Sequence, residues 1–202
     1  MKTVLFIAMT GILLMPALSC NNNSRTDNNA DSTGASPGKE MSEKTTGADD
    51  YNQQLTYKQY SFSVNSKGQG RLRQLTITGR DSASEMGTVN APLEGSIYYA
   101  STADLNKDGR PEVYCFTRGT DSAGYSKVYA YAFDSKTGKQ INFPDLSPQQ
   151  QQEYKGHDSI YIDNEYLVRS FSTGDSKSQA GRKAIRYVLR PVDTAFTLEQ
   201  AQ

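Results

Sequence analysis

The chain has 202 residues, with 22 Lys and Arg set against 22 Asp and Glu, and a single histidine. That balance leaves neither nucleic acid nor an anionic surface as an implied partner. The two cysteines, Cys20 and Cys115, cannot build a disulfide framework, so the domain must hold together by its core.

Residues 1–19 read as a secretory signal. Lys2 supplies the positive charge, and Val4–Leu14 supplies an apolar stretch too short to span a bilayer. Ala17-Leu18-Ser19-Cys20 follows and resembles the lipobox of bacterial lipoproteins, with Ala17 where leucine is usual. The resemblance implies lipidation at Cys20 and a membrane anchor of acyl chains. Residues 20–51 form a tether rich in Asn, Ser, Thr, Gly and Asp. Such a segment cannot bury enough apolar surface to offset its ordering entropy, so disorder is expected. Asn21 is not the aspartate that retains lipoproteins at the inner membrane in enterobacteria, and no acidic export run follows Cys20. The expected location is the outer membrane, facing the periplasm.

Residues 52–202 suffice for one domain. Thirteen tyrosines and seven phenylalanines without tryptophan suit an aromatic-rich sheet protein. Period-2 alternation predicts strands at Tyr57–Val64, Arg71–Thr78, Gly95–Ala103, Glu112–Arg118 and Lys127–Phe133. Further strands are predicted at Ser159–Ile162, Tyr166–Phe171, Ala184–Arg190 and Ala195–Leu198, with Asp163-Asn164-Glu165 as a tight turn. Ser147-Pro148 reads as an N-cap with proline at the first helical position, Gln149–Tyr154 as the helix and Gly156 as its stop. The expected fold is all-β: an antiparallel sandwich or flattened barrel of about eight strands with one short helix.

Four features bear on candidate chemistry. Asp104, Asn106, Asp108 and Glu112 place oxygens at positions 1, 3, 5 and 9 of a turn bent at Gly109. That spacing resembles short calcium loops of the repeat type, which need several oxygen ligands. With one copy only, the turn is expected to be structural, Asp104 and Asp108 accepting from their own backbone amides. The lone histidine, His157, precedes Asp158, yet no nucleophile elbow or reactive cysteine completes a triad. A structural role is expected, its ring bonded to backbone or a carboxylate. Cys115 sits between Tyr114 and Phe116 and reads as a buried small hydrophobe. The connection Arg118–Ser126 is over-long for a hairpin and carries Ser122, Gly124 and Tyr125. Its composition fits a flexible tip and a recognition loop equally.

A family resemblance separates these. The turn Asp104–Val113 runs straight into a strand. Ser122-Ala123-Gly124-Tyr125 precedes a strand ending in Ala130-Tyr131. Tyr154-Lys155-Gly156-His157-Asp158 is followed by Leu167-Val168-Arg169-Ser170-Phe171, then Gly181-Arg182 and Ile185-Arg186-Tyr187-Val188-Leu189. In this order, over Ile97–Leu189, the chain resembles the periplasmic inhibitors of invertebrate-type lysozyme. In that family a serine and a tyrosine three residues later protrude into the lysozyme cleft and engage its catalytic acids. The resemblance places Ser122 and Tyr125 at those positions, with Gly124 one place later than the family's Ser-Gly-x-Tyr.

The expectation is therefore a lysozyme-binding protein, not an enzyme, with no cofactor and no metal, using Ser122, Gly124 and Tyr125. Homodimerisation stays open. The rivals are a calcium-dependent carbohydrate-binding or adhesion module using Asp104, Asn106, Asp108 and Glu112, and an enzyme using His157.

Overall fold

The computed structural model describes residues 50–82, 84–119, 125–174, 181–192 and 195–200. Cys20 and the tether up to residue 49 lie outside them. The described part is all-β with one short helix.

The first sheet is an antiparallel meander of β1 (Tyr51–Tyr57), β2 (Tyr60–Lys67), β3 (Leu72–Asp81) and β4 (Ser84–Glu94). Its buried face is set by alternation: Tyr60, Phe62 and Val64 on β2, Leu75 and Ile77 on β3, Val89 and Leu93 on β4. Between Gly79 and Arg80 the register slips, and Met86 becomes the extra residue on β4.

The second sheet runs β5 (Ser96–Ala103), β6 (Glu112–Arg118), β7 (Ser126–Phe133), β8 (Gly138–Asn142), β12 (Ala195–Gln200), β11 (Arg182–Val192), β10 (Tyr166–Ser172) and β9 (Ser159–Asp163). Only β8 and β12 pair in parallel. The sheet curls until its two edges meet. The Tyr98 hydroxyl on β5 donates to the Ile160 carbonyl on β9 at 3.4 Å, so the barrel nearly closes.

This arrangement makes two cores from one strand. Val113 and Cys115 of β6 face the first sheet, together with Tyr131 and Phe133 of β7. Phe62 and Phe133 meet across that interface with ring centroids 5.2 Å apart. Tyr114 and Phe116 face the barrel interior, with Leu167, Phe171, Ile185, Tyr187 and Leu198. A strand buried on both faces cannot shift by one residue without exchanging the two sets. Each such side chain contributes about 1.5–3 kcal/mol by burial. β6 is thus the most constrained element, and the candidate sites sit at its two ends. Cys115 is buried as expected, and burial pushes its thiol up to about 12, so it is inert.

Three strands had no signal of their own. β1 is mostly polar, β4 contains Gly87 and Pro92, and β8 has a single buried apolar residue, Ile141. Pro92 is tolerated because β4 is an edge strand. The stretch predicted as one strand, Tyr57–Val64, is cut by a turn with Lys58 at φ 53°. Helix α1 (Pro148–Glu153) begins as expected. Ser147 and Gln150 form a reciprocal capping box, with proline at the first position. It ends earlier than predicted, because Tyr154 is already extended; Gly156, at φ 77°, serves the next turn instead.

Candidate functional site

At its Arg118 end, β6 pairs last with Ser126, leaving residues 119–125 as the connection. The Gly119 amide donates to the Tyr125 carbonyl at 2.8 Å and closes its base. Ser122 and Gly124 lie outside the described residues. Tyr125 is described and is 43% exposed. Its ring stacks on Tyr154 at 5.9 Å and an interplanar angle of 26°.

Tyr154 is itself held from below. Its hydroxyl donates to Asp158 Oδ2 at 2.6 Å. Arg169, brought in by β10, donates from Nε to Asp158 Oδ1 at 3.1 Å and from Nη2 to Oδ2 at 3.3 Å. The Asp158 side chain is fully buried and that of Arg169 partly so, with 15% of it exposed. The Arg169 guanidinium also lies 5.4 Å from the Tyr154 ring centroid, and Tyr154 packs on Phe171 at 5.3 Å. Burial raises the Tyr154 phenol, and its bond to Asp158 raises it further, so it stays a proton donor. Ser126, the first residue after the connection, donates to the Asp158 carbonyl at 3.2 Å. Tyr125 thus stands on a buried ion pair through one aromatic ring.

Arg182 fixes the same segment to β10. It donates to the carbonyls of His157 at 2.9 Å and Ser170 at 2.8 Å. His157 serves this scaffold through its backbone, at φ 56°. Contrary to expectation, its ring makes no hydrogen bond among the described residues. His157→Ala should therefore cost less than about 1 kcal/mol, since only side-chain packing changes. His157→Gly should be neutral or better, because glycine relieves the left-handed strain. Thermal melts of both variants check this; a loss of several degrees in both would mean that the ring carries a buried contact.

On the other flank of Tyr125 lies a cleft of about 330 Å³, lined among others by Arg71, Glu94, Thr117 and Lys127. Glu94 accepts from Lys127 Nζ, and from Arg71 Nη2 at 3.5 Å. The Lys127 bond, with the nearby positive charges, holds the Glu94 carboxyl below the usual range. Gly95 lets the β4–β5 corner touch the base of the loop. At φ 82°, a Cβ there would sit 2.4 Å from the Arg118 carbonyl oxygen.

The acidic turn is at the other end of β6, about 20 Å away at a rise of ~3.3 Å per residue. It closes on itself as expected. The Gly109 amide donates to Asp104 Oδ2 at 3.0 Å and the Arg110 amide to Asp108 Oδ1 at 2.7 Å, with Gly109 at φ 87°. The Asp108 amide donates to Asn106 Oδ1 at 3.0 Å. Glu112 points inward and accepts from the Leu105 amide at 2.9 Å and the Tyr114 hydroxyl at 3.2 Å. Oxygens of Asp104, Asp108 and Glu112 lie within 4.8 Å of one another.

Burial pushes the Glu112 carboxyl up to about 8, against an ordinary 4.5, and these two bonds only partly oppose it. The folded state therefore holds a proton that the unfolded state releases. Stability from this group is complete below about 4.5 and is lost as pH rises through about 8. Glu112→Gln should flatten this slope and be the more stable form above pH ~8. Denaturant melts of both proteins between pH ~5 and ~9 test it; parallel stability curves would contradict it.

Of the predicted residues, then, Tyr125 stands at the loop, and Asp104, Asp108 and Glu112 come together in the turn while Asn106 bonds Asp108. The roles of Tyr154, Asp158 and Arg169 were not legible, although the Gly-His-Asp and Leu-Val-Arg segments flagged their positions. Arg71, Glu94 and Lys127 gave no signal, because the turn before β3 and strands β4 and β7 bring them together from distant sequence. No protein-family model matches this chain, and no curated protein matches it in sequence.

Proposed function

We propose that this chain is a protein inhibitor of lysozyme, the invertebrate type first. It places Ser122 and Tyr125 in the catalytic cleft and blocks the carboxyl pair there. Lysozymes cleave with two carboxyl groups flanking the glycosidic bond. Hydroxyls can donate to an ionised carboxylate, each such bond contributing about 1.5–3 kcal/mol. The observation that most supports the reading is Tyr125: a half-exposed aromatic beside an over-long connection, stacked on a ring anchored to a buried ion pair. Such rigid backing lowers the entropy lost on binding. On this reading the protein does no chemistry of its own. Lipidated Cys20 would anchor it to the outer membrane, facing the periplasm, where it shields peptidoglycan.

Occlusion requires competition. A chito-oligosaccharide bound in the lysozyme cleft should displace the protein; simultaneous binding of both would overturn the mechanism. A second reading, a calcium-dependent carbohydrate-binding or adhesion module, is favoured by one observation. Asp104 Oδ1 is buried without a hydrogen-bond partner beside two other carboxylates. A chelator that lowers the melting temperature would support it.

A further inference from the structure

We infer that the cleft beside Tyr125 is a second contact site, which receives an acidic side chain from the rim of the lysozyme cleft. The inference rests on the proposed function and deepens it. Three observations carry it. First, the cleft shares Tyr125 as a wall, so a partner that seats on Tyr125 covers its mouth. Second, it is cationic. Lys127 and Arg71 both bond Glu94, and two cations against one carboxylate leave a net positive charge. Both cations stay open to a partner, with side-chain exposures of 55% and 75%. Third, Thr117 lines the cleft, and its hydroxyl makes no hydrogen bond among the described residues and keeps some contact with solvent. An uncommitted hydroxyl in the wall of a cleft that two cations also line suits a carboxylate oxygen.

Glu94 acts as a placeholder in the free protein. It pre-positions Lys127 and Arg71, so little side-chain entropy remains to be lost when a partner carboxylate joins them. Charge at the edge of an interface acts mainly on the association rate, and salt screens it. The cleft would thus favour lysozymes with acidic rims and slow encounter with strongly basic ones.

The test is binding kinetics of full-length Arg71→Gln/Lys127→Gln against invertebrate-type lysozyme, at low salt and at about 0.5 M salt. The expected result is an association rate about tenfold or more lower at low salt, converging with the parent at high salt. Thr117→Val, which keeps the shape and removes the hydroxyl, should speed dissociation. Melting temperatures report that both variants fold. Tyr125→Ala runs in parallel. If it abolishes binding while the double variant and Thr117→Val match the parent at every salt, the loop reading stands and this inference is overturned. If Tyr125→Ala binds like the parent, the proposed function itself fails.

Discussion

Asp158→Ala should lose about 3–5 kcal/mol of stability, the largest effect expected of any single substitution in this chain. The Asp158 side chain has no exposure and that of Arg169 has 15%, so removing the carboxylate leaves a largely covered guanidinium without its counter-charge. Two further losses follow from the same geometry. The Tyr154 hydroxyl loses its acceptor, and Tyr125 loses a fixed stacking partner. Inhibition should therefore weaken along with stability, even where the variant is still folded. Denaturant melts measure the first effect. Replacing the pair together, Asp158→Leu with Arg169→Met, should recover much of the stability, because no unpaired charge remains. A loss under about 1 kcal/mol for Asp158→Ala alone would mean that the pair is solvated, against the burial seen here.

Tyr125→Ala should weaken inhibition by about 2 kcal/mol or more, roughly 30-fold, while leaving the fold intact. A central aromatic anchor commonly carries that much. The stability change should stay within about 1 kcal/mol, since the ring is 43% exposed and its stacking contact among the described residues is with Tyr154. Ser122→Ala should cost less, about 1–2 kcal/mol of binding for one hydroxyl bond. Titrations of lysozyme activity with each variant, beside melting curves, separate affinity from folding. A Tyr125→Ala protein that inhibits like its parent would remove this loop from the mechanism.

How much of this could be read from the sequence depends on the range of each interaction. β6 and β7 were legible because alternation is local; Tyr114 and Phe116 face one way, Val113 and Cys115 the other. The cap of α1 was legible for the same reason, Ser147 and Gln150 being three residues apart. The acidic turn was too, since its bonds span at most five residues, apart from the Glu112 bond to Leu105. β4 was not, because its apolar residues are spread by a bulge and a proline. Nor was the Asp158–Arg169 pair, which forms across eleven residues through the pairing of β9 with β10. The His157 expectation shows the limit within a recognised segment. The position is structural, but the work is done by a carbonyl that any residue there would supply.

The central claim is inhibition by occlusion, and residual lysozyme activity tests it most directly. Purified domain is titrated into invertebrate-type, chicken-type and goose-type lysozymes with peptidoglycan as substrate. The account predicts loss of activity near equimolar domain for the invertebrate-type enzyme, relieved in the Ser122→Ala/Tyr125→Ala variant. Full activity of all three enzymes under a large excess of folded domain would contradict it.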